Sequence, residues 1–355
     1  MSSSDPTRPG FEITVTPSGR TFTALPGETI LAAGIRAGVG MPYGCKDGAC
    51  GSCKCKKLAG TVTHGAHQSK ALSDEEEAQG LVLTCCAVAQ SPVVLESRQV
   101  TEEGAFPIKK MPTRVSFMEK KSDDVMLLKL QLPANDNFTY HAGQYVEFIL
   151  RDGARRSYSM ANAPHSLAQG LELHIRHMPG GKFTDHVFGA MKEKEILRIE
   201  GPFGSFYLRE DSAKPLVLLA SGTGFAPLKA LIEQMQFKGI TRPATLYWGG
   251  RRPSDLYMDD WVKTKLNEMP KLRYVPVVSE ALAEDGWTGR TGFVHQAVLQ
   301  DMPDLSGYQV YACGAPIVVE SAKAAYTAQG KLPADEFFAD SFTSEADKAR
   351  QASAA

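Results

Sequence analysis

The chain has 355 residues, 43% of them hydrophobic and 22% charged, and a formal net charge of -1. This length suits two or three compact domains of an ordinary globular protein. The balanced charge gives no reason to expect nucleic acid as a partner, and no apolar run reaches the roughly 18 residues that a membrane span needs.

The first predicted domain, residues 9–98, opens with regular elements. Phe11–Thr16 and Arg20–Ala24 flank a Pro-Ser-Gly turn and predict a hairpin. Apolar residues between Ile30 and Ile35 recur three and four positions apart, which predicts a short helix. Ser73, followed three residues later by Glu76, predicts a second helix that begins with a capping box.

Six of the seven cysteines lie between residues 45 and 86, and such crowding indicates metal ligation in a reducing compartment. Cys45, Cys50 and Cys53 follow C-x4-C-x2-C spacing, and a fourth cysteine comes at Cys85 or Cys86. This spacing is typical of a plant-type [2Fe-2S] cluster, whereas zinc would normally show two C-x2-C pairs. A group of unrelated buried thiols is the alternative interpretation.

Two further features flank this region. Three lysines next to the cysteine loop are interpreted as a solvated face, with a docking patch for an acidic partner as the alternative; they are Lys54, Lys56 and Lys57. A polar linker without periodicity is predicted over about residues 98–112.

The second predicted domain, residues 108–210, contains several short β-rich runs separated by Gly, Pro and Asn turns. The runs are Arg114–Phe117, Val125–Leu132, Gln144–Leu150, Arg156–Met160 and Leu171–His177. Such spacing predicts an antiparallel barrel, interrupted by one helix at about residues 183–191.

One of these runs carries a candidate flavin site. Arg156, Tyr158 and Ser159 offer a cation for a pyrophosphate, a planar partner for a ring and a hydroxyl for the flavin N5. Gly181 and its neighbours up to Thr184 precede a helix, so free amides there can meet a phosphate. Gly201–Gly204 is interpreted as a tight turn.

The third predicted domain, residues 213–345, alternates buried strands with helices, which predicts a parallel sheet covered on both faces. One strand leads into Ser221-Gly222-Thr223-Gly224-Phe-Ala-Pro227 and then a helix, as in a dinucleotide-binding turn. Another strand ends at Cys313 and Gly314. Because ligands bind at the carboxyl ends of such strands, both loops are expected to face one crevice.

With these motifs in order, the chain resembles the ferredoxin–NADP reductase superfamily with an N-terminal ferredoxin domain. It is similar to reductase components of phenol hydroxylases and other bacterial oxygenases, and most of all to CDP-6-deoxy-Δ3,4-glucoseen reductases. The closer likeness covers the cysteine loop and Arg155–Ser159, Tyr274–Ser279 and Trp287–Val298. It implies a multi-domain fold of a β-grasp ferredoxin, an antiparallel β-barrel for FAD and an α/β parallel-sheet domain for NAD.

The resemblance also implies roles for individual residues. It implies four cluster ligands, Cys45, Cys50, Cys53 and Cys85. It implies FAD contacts at Arg156, Tyr158, Ser159, His174, Ile175, Arg176, Gly181, Lys182, Phe183 and Thr184, with Phe342 covering the flavin. It implies dinucleotide contacts at Gly222, Thr223, Gly224, Pro227 and Gly314, and catalytic positions at Ser159, Thr223 and Cys313.

The function expected from this resemblance is a relay from NADH to FAD, then to the [2Fe-2S] cluster, then to a protein partner. The partner is either an oxygenase component or a pyridoxamine-phosphate-dependent CDP-sugar dehydrase. A stand-alone NAD(P)H flavin or quinone reductase is the alternative. Glu280 favours NADH over NADPH, while Arg251 and Arg252 argue the other way. We further expect a cytoplasmic monomer, because residues 1–10 lack the apolar segment of a signal peptide.

Overall fold

The computed structural model describes residues 10–100 and 106–342. They divide into two units, one up to Pro107 and one spanning Ile108–Phe342. The centre of the predicted linker (101–105) and the residues after Phe342 lie outside the described residues. In the described part, no helix combines the length and the apolar character needed to cross a membrane.

The first unit is the predicted ferredoxin-type domain. Its strands are β1 (Phe11–Thr16), β2 (Arg20–Ala24), β3 (Lys54–Ala59), β4 (Val62–His64), β5 (Leu81–Leu83), β6 (Ala87–Ala89) and β7 (Val93–Glu96). Its helices are α1 (Ile30–Arg36) and α2 (Asp74–Ala78). Five strands form one sheet in the order β2-β1-β7-β3-β5, and β4 pairs with β6.

Both predicted helices of this unit are confirmed, and side chains start each one. Thr29 caps α1 by accepting a hydrogen bond from the Ala32 N–H, while Ile30 and Ala33 are buried. The capping box between Ser73 and Glu76 opens α2. The side-chain and main-chain hydrogen bonds at these starts satisfy amides that a helix leaves without partners.

The second unit begins with the predicted barrel. Its strands are β8 (Lys109–Ser122), β9 (Val125–Gln131), β10 (Tyr145–Ile149), β11 (Arg155–Ser159), β12 (Leu171–Arg176) and β13 (Ile196–Phe203), with helix α3 (Lys182–Gly189). The antiparallel order is β11-β10-β13-β8-β9-β12, and a bridge between Met160 and Leu173 joins the two edges. This bridge closes the sheet, so its apolar side chains form an enclosed core.

Two details of the sequence interpretation were wrong here. Lys109–Pro112 belongs to β8 rather than to the linker, and its main chain pairs with β13. The turn predicted at Gly201–Gly204 is instead the end of β13, and only Gly204 (φ +90°) lies beyond the strand. Proline and glycine suggested a turn, but pairing with two neighbouring strands keeps this segment extended.

The rest of the second unit is the predicted α/β domain. Its strands are β14 (Leu216–Ser221), β15 (Ala244–Gly250), β16 (Leu272–Val278), β17 (Arg290–Thr291), β18 (Gln309–Gly314) and β19 (Phe337–Ser341). Its helices are α4 (Phe225–Phe237), α5 (Asp259–Glu268), α6 (Val294–Asp301) and α7 (Pro316–Ala328).

All neighbouring strands of this sheet are parallel, in the order β17-β16-β15-β14-β18-β19. Helices α4 and α5 pack on one face and α6 and α7 on the other. From β14 the chain continues first toward β17 and later returns on the other side at β18. The reversal opens a crevice between the carboxyl ends of β14 and β18.

Candidate active site

The predicted cluster ligands lie in two thiol pairs. Cys45 and Cys50 are hydrogen-bonded to each other, and Cys53 Sγ lies 3.2 Å from Cys85 Sγ. The main-chain N–H groups of Ala49 and Cys50 each lie 3.3 Å from Cys45 Sγ. A [2Fe-2S] cluster takes four thiolates, two on each iron, so this donor set fits the group. When bound, such a cluster accepts and releases one electron at a time.

Hydrogen bonds within the pairs shift the pKa values of three of these thiols. The hydrogen bond with Cys50 raises the pKa of Cys45, and the hydrogen bond with Cys45 lowers the pKa of Cys50 to about 6. The hydrogen bond with Cys53 likewise raises the pKa of Cys85. One thiol of a pair therefore keeps a proton that a metal ion replaces, since the thiolate is the ligating form.

Glycines leave room around these sulfur atoms. A Cβ at Gly44 would lie 3.3 Å from Cys50 Sγ. At Gly48, where φ is +76°, a Cβ would lie 2.8 Å from Cys86 Sγ. A side chain at either position would occupy space that the loop needs around its ligands.

The structure supports Cys85 over Cys86 as the fourth ligand. Cys86 Sγ lies 3.6 Å from Cys85 Sγ and hydrogen-bonds the Ala66 carbonyl oxygen at 3.5 Å. Cys85 Sγ is therefore the one of the two found next to Cys53 Sγ, while Cys86 contacts Cys85 and the main chain. Cys55 is buried, and burial raises its pKa to about 12, which fits an apolar filler.

The three neighbouring lysines bind groups of their own domain. Lys54 Nζ lies 2.6 Å from the Glu76 carboxylate, Lys57 donates to the Gly60 carbonyl at 2.9 Å, and Lys56 donates to the carbonyl of Gln79. These contacts favour the solvated-face interpretation over a docking patch.

The candidate flavin residues lie on β11, where alternate side chains point to opposite faces. Tyr158 is half-buried, with its ring centroid 5.8 Å from that of Phe148 and 5.5 Å from that of Phe183. Burial raises the pKa of Tyr158, so its phenol stays protonated. Arg156 is half-buried two residues earlier on the strand, and Ser159 is buried one residue later. This set fits FAD, which when bound takes up a hydride and releases electrons singly.

The start of α3 offers a second contact for the same cofactor. Gly181 caps the helix, and a Cβ there would lie 2.6 Å from Thr184 Oγ1. Thr184 Oγ1 donates to the Met178 carbonyl at 2.9 Å, which fixes the turn. Lys182 instead pairs with Asp152 at 2.6 Å, while Phe183 is buried against the barrel core. The start of a helix leaves main-chain N–H groups that can bind a phosphate, so this turn is a candidate phosphate contact.

The three predicted FAD residues on β12 have other side-chain contacts. His174 and Ile175 are buried, and His174 Nδ1 lies 2.9 Å from the Tyr257 hydroxyl. Arg176 is ion-paired with Asp124 at 2.7 Å and with Asp255 at 2.6 Å. Their roles toward FAD stay predictions.

The candidate dinucleotide turn is held against the end of β18. A short 3-10 turn over Gly222–Gly224 precedes α4, which begins at Phe225, so the helix already includes the Phe-Ala-Pro segment that the sequence analysis placed before it. A Cβ at Gly224 would lie 2.1 Å from the Cys313 carbonyl oxygen, and one at Gly314 would lie 2.4 Å from the Ser221 carbonyl oxygen. Only glycine permits this approach, which brings the two predicted loops to one crevice.

Asp340 joins the flavin strand to this crevice. Its Oδ2 accepts a hydrogen bond from Ser159 Oγ at 3.1 Å, and β19 places it in register with Cys313 of β18. Burial, together with the Asp340 carboxylate, holds the pKa of Cys313 well above its usual range. Ser159 and Cys313, which the sequence assigned to different motifs, thus meet around one buried carboxylate.

Sequence reasoning missed Asp340. It follows β18 by 26 residues on a strand that had not been predicted, and no motif surrounds it. A parallel strand that ends just before the aromatic Phe342 was the available signal. Phe342 itself is half-buried, and its N–H donates to the Gly314 carbonyl at 2.9 Å.

Comparison with known proteins identifies all three regions. Residues 13–90 match the family model "2Fe-2S iron-sulfur cluster binding domain", 112–207 match "Oxidoreductase FAD-binding domain" and 218–324 match "Oxidoreductase NAD-binding domain". The CDP-6-deoxy-L-threo-D-glycero-4-hexulose-3-dehydrase reductase of Yersinia pseudotuberculosis is 40% identical over 329 residues, covering 92% of this chain and 96% of its own. The chain belongs to the ferredoxin–NADP reductase superfamily.

Other relatives of this reductase match most of its length. Reductase component 2 of terephthalate 1,2-dioxygenase from Comamonas is 34% identical, covering 93% of this chain and 97% of its own. The solved cytochrome P450 reductase GcoB of Amycolatopsis is 32% identical with a TM-score of 0.75, covering 94% of this chain and 98% of that chain.

The predicted fold class, enzyme class and cofactors are therefore confirmed. This reductase is an iron–sulfur flavoprotein oxidoreductase with domains for [2Fe-2S], FAD and a nicotinamide dinucleotide. Its predicted domain bounds and the roles of individual residues stay predictions.

Proposed function

We propose that this reductase takes a hydride from NADH and delivers single electrons to a separate protein. The observation that carries the proposal is the meeting of Ser159 and Cys313 at Asp340. This contact between the ends of β11 and β18, made through Asp340, supports a single site for the flavin and the nicotinamide, which hydride transfer requires. The paired thiols of the first unit supply the one-electron step toward the partner.

In this proposal the protein groups position the reactants and keep protons in place. Ser159 donates its hydroxyl proton to Asp340, which fixes the direction of that hydroxyl at the end of β11. Cys313 is 1% exposed and stays a neutral thiol, so it adds no charge beside the transferred hydride. The glycines at 222, 224 and 314 let the dinucleotide backbone approach the strand ends.

Contacts around the end of β15 support NADH over NADPH. Recognition of a 2′-phosphate needs an available cation near the adenosine ribose. Arg252 is instead paired with Asp285 through contacts of 2.8 and 2.6 Å. Glu280 lies beside this loop, since its N–H donates to the Arg251 carbonyl at 2.8 Å, and its carboxylate would repel a phosphate.

For the protein partner we propose a CDP-sugar dehydrase, supported by the 40% identity to a reductase named for such an enzyme. An oxygenase component is the second candidate, supported by the 34% identity to the terephthalate dioxygenase reductase. We also propose a cytoplasmic monomer, because its crowded free thiols need a reducing compartment.

Anaerobic titration tests the relay. NADH is expected to bleach flavin and cluster absorbance together, with NADPH at least roughly tenfold less effective. The purified protein is then supplied separately to a pyridoxamine-phosphate-dependent CDP-sugar dehydrase and to a dioxygenase, with NADH consumption and product formation measured. Bleaching of the flavin alone, or equal turnover with free quinone after cluster loss, would instead establish a small-molecule reductase.

A further inference from the structure

Strand β12 contacts one short segment of the α/β domain at two alternate positions. His174 Nδ1 lies 2.9 Å from the Tyr257 hydroxyl, and Arg176 lies 2.6 Å from Asp255. Residues two apart on a strand point to the same face, so both contacts come from one side of β12. The segment that they hold directly follows β15, at the edge of the sheet where nucleotides bind.

The two carboxylate oxygens of Asp255 bind different groups, one a side chain and the other the main chain. Oδ1 accepts from Arg176 Nη2 at 2.6 Å. Oδ2 accepts from the main-chain N–H groups of Arg251 at 2.7 Å and Arg252 at 3.1 Å. One carboxylate therefore connects a barrel side chain to the backbone of the loop that follows β15.

Two glycines make room for this connection. A Cβ at Gly250 would lie 2.5 Å from Asp255 Cβ, and a Cβ at Gly222 would lie 2.6 Å from Arg176 Nη1. Gly222 belongs to the candidate dinucleotide turn, so the guanidinium of Arg176 lies directly against that turn. The ion pair thus touches the candidate dinucleotide turn after β14 and the loop that follows β15.

The ion pair of Arg176 and Asp255 is partly shielded from water, and a second carboxylate binds the Arg176 guanidinium. The side chain of Asp255 is 12% exposed and that of Arg176 26% exposed. Arg176 Nε also donates to Asp124 at 2.7 Å, from the turn between β8 and β9. Two carboxylates on one guanidinium fix its orientation, because the charge-assisted bonds are directional.

We propose that Asp255 is a positioning residue for the adenosine half of the dinucleotide, acting through the loop at Arg251 and Arg252. This inference rests on the proposed function, which places the ribose beside that loop and Glu280. With Asp255 in place, the loop is held open at the crevice before the ligand arrives. Binding then loses less conformational freedom, so the effect falls on affinity rather than on hydride transfer.

The test measures binding of 5′-AMP by isothermal titration calorimetry, because this probe contains only the adenosine half. Asp255→Ala is expected to weaken 5′-AMP binding about tenfold, and Asp255→Asn about threefold, since the amide keeps one acceptor but loses the ion pair. The KM for NADH should rise by a similar factor, while kcat should stay within about twofold of the parent value. Nicotinamide mononucleotide, the other half, should inhibit all variants alike.

Asp304→Ala serves as the matched control. Asp304 also accepts main-chain and side-chain hydrogen bonds and pairs with Lys331, but it lies before β18, at the opposite edge of the same sheet. Its 5′-AMP affinity should equal that of the parent protein.

Other outcomes are decisive as well. A parent protein that binds NADH but not 5′-AMP would refute the proposed ribose placement itself. Unchanged 5′-AMP affinity in a folded Asp255→Ala variant would reduce the pair to an ordinary contact within the unit and overturn the inference. If the alanine variant does not fold, the asparagine variant decides by the same measurement.

Discussion

The two redox regions of this reductase are assembled over very different distances along the chain. In the cluster loop, the hydrogen bonds that orient Cys45 join residues only four and five positions apart. In the flavin–dinucleotide unit, the bond between Ser159 and Asp340 spans 181 positions, and the pair of Arg176 and Asp255 spans 79. A site built from neighbouring residues can be predicted from their spacing in the sequence. A site built from distant residues becomes visible only in the contacts of the folded chain.

Substitution of a cluster ligand should give the largest effect and separate the two regions. Cys85→Ser removes the thiol that lies 3.2 Å from Cys53 Sγ. Electron transfer from NADH to cytochrome c should fall on the order of 100-fold or more, because the cluster needs four thiolates. NADH–ferricyanide activity should stay within about threefold of the parent protein, since the flavin unit keeps its own core.

Cys86→Ser is the matched control, because its thiol is adjacent in sequence and contacts Cys85 and the Ala66 carbonyl, whereas the contact with Cys53 is made by Cys85. It should retain iron, acid-labile sulfide and cytochrome c reduction. If Cys86→Ser lost the cluster and Cys85→Ser kept it, the assignment of the fourth ligand would be reversed.

A smaller effect is expected at the proposed hydride-transfer site. Ser159→Ala removes the hydroxyl that donates to Asp340 and leaves that buried carboxylate without this partner. Flavin reduction by NADH should slow by about 10- to 100-fold, the value of a hydrogen bond to a charged group. Stopped-flow absorbance measures the rate directly.

Ser157→Ala is the control, since Ser157 is exposed on the same strand. Equal rates of flavin reduction in the two variants would contradict the role of Ser159.

Asp340→Asn probes the contact that unites the two motifs. The amide can still bond with Ser159 but carries no charge, so flavin reduction should slow only about 3- to 10-fold. Burial is the larger cause of the raised pKa of Cys313, and the Asp340 carboxylate is the second cause, which this variant removes. Cys313 should nevertheless resist iodoacetamide at pH 8, because burial alone keeps it a thiol. Rapid alkylation at Cys313 would show that the carboxylate, not burial, keeps the thiol protonated.

The sequence predicted local features well and long-range contacts poorly, for a physical reason. The spacing of Cys45, Cys50 and Cys53 predicts a cluster site. The position of Gly222–Gly224 after a buried strand predicts a dinucleotide-binding turn. Asp340 and Asp255 carry no such pattern, because an acidic residue becomes special only when strands from distant parts of the chain bring it to a partner. Only the family resemblance implied a contact between Arg176 and FAD, and the two carboxylate partners of Arg176 come from other loops that the sequence did not connect to it.

The smallest predicted effect concerns the pH dependence of the second unit. Burial, reinforced by Arg209, lowers the pKa of His141 to about 4, and its ring stacks on Tyr207 with centroids 4.4 Å apart. An unfolded histidine titrates near 6.5. Above pH 6.5 the ring is neutral in both states and adds nothing to the pH dependence. Between pH 6.5 and 4 only the unfolded state binds the proton, so the free energy of unfolding falls as the pH drops.

His141→Gln removes this proton-linked loss. Its free energy of unfolding should fall about 1–2 kcal/mol less than that of the parent protein between pH 7 and 5, measured by urea denaturation. His165→Gln is the control, because that ring lies exposed against Phe237 at 4.0 Å. An unchanged slope in the His141 variant would mean that the buried ring takes up its proton without unfolding. Glu172 would not replace it in this range: burial would raise its pKa, but His174 and Lys229 hold that pKa at about 2, so its stabilising contribution is lost only below about pH 4.5.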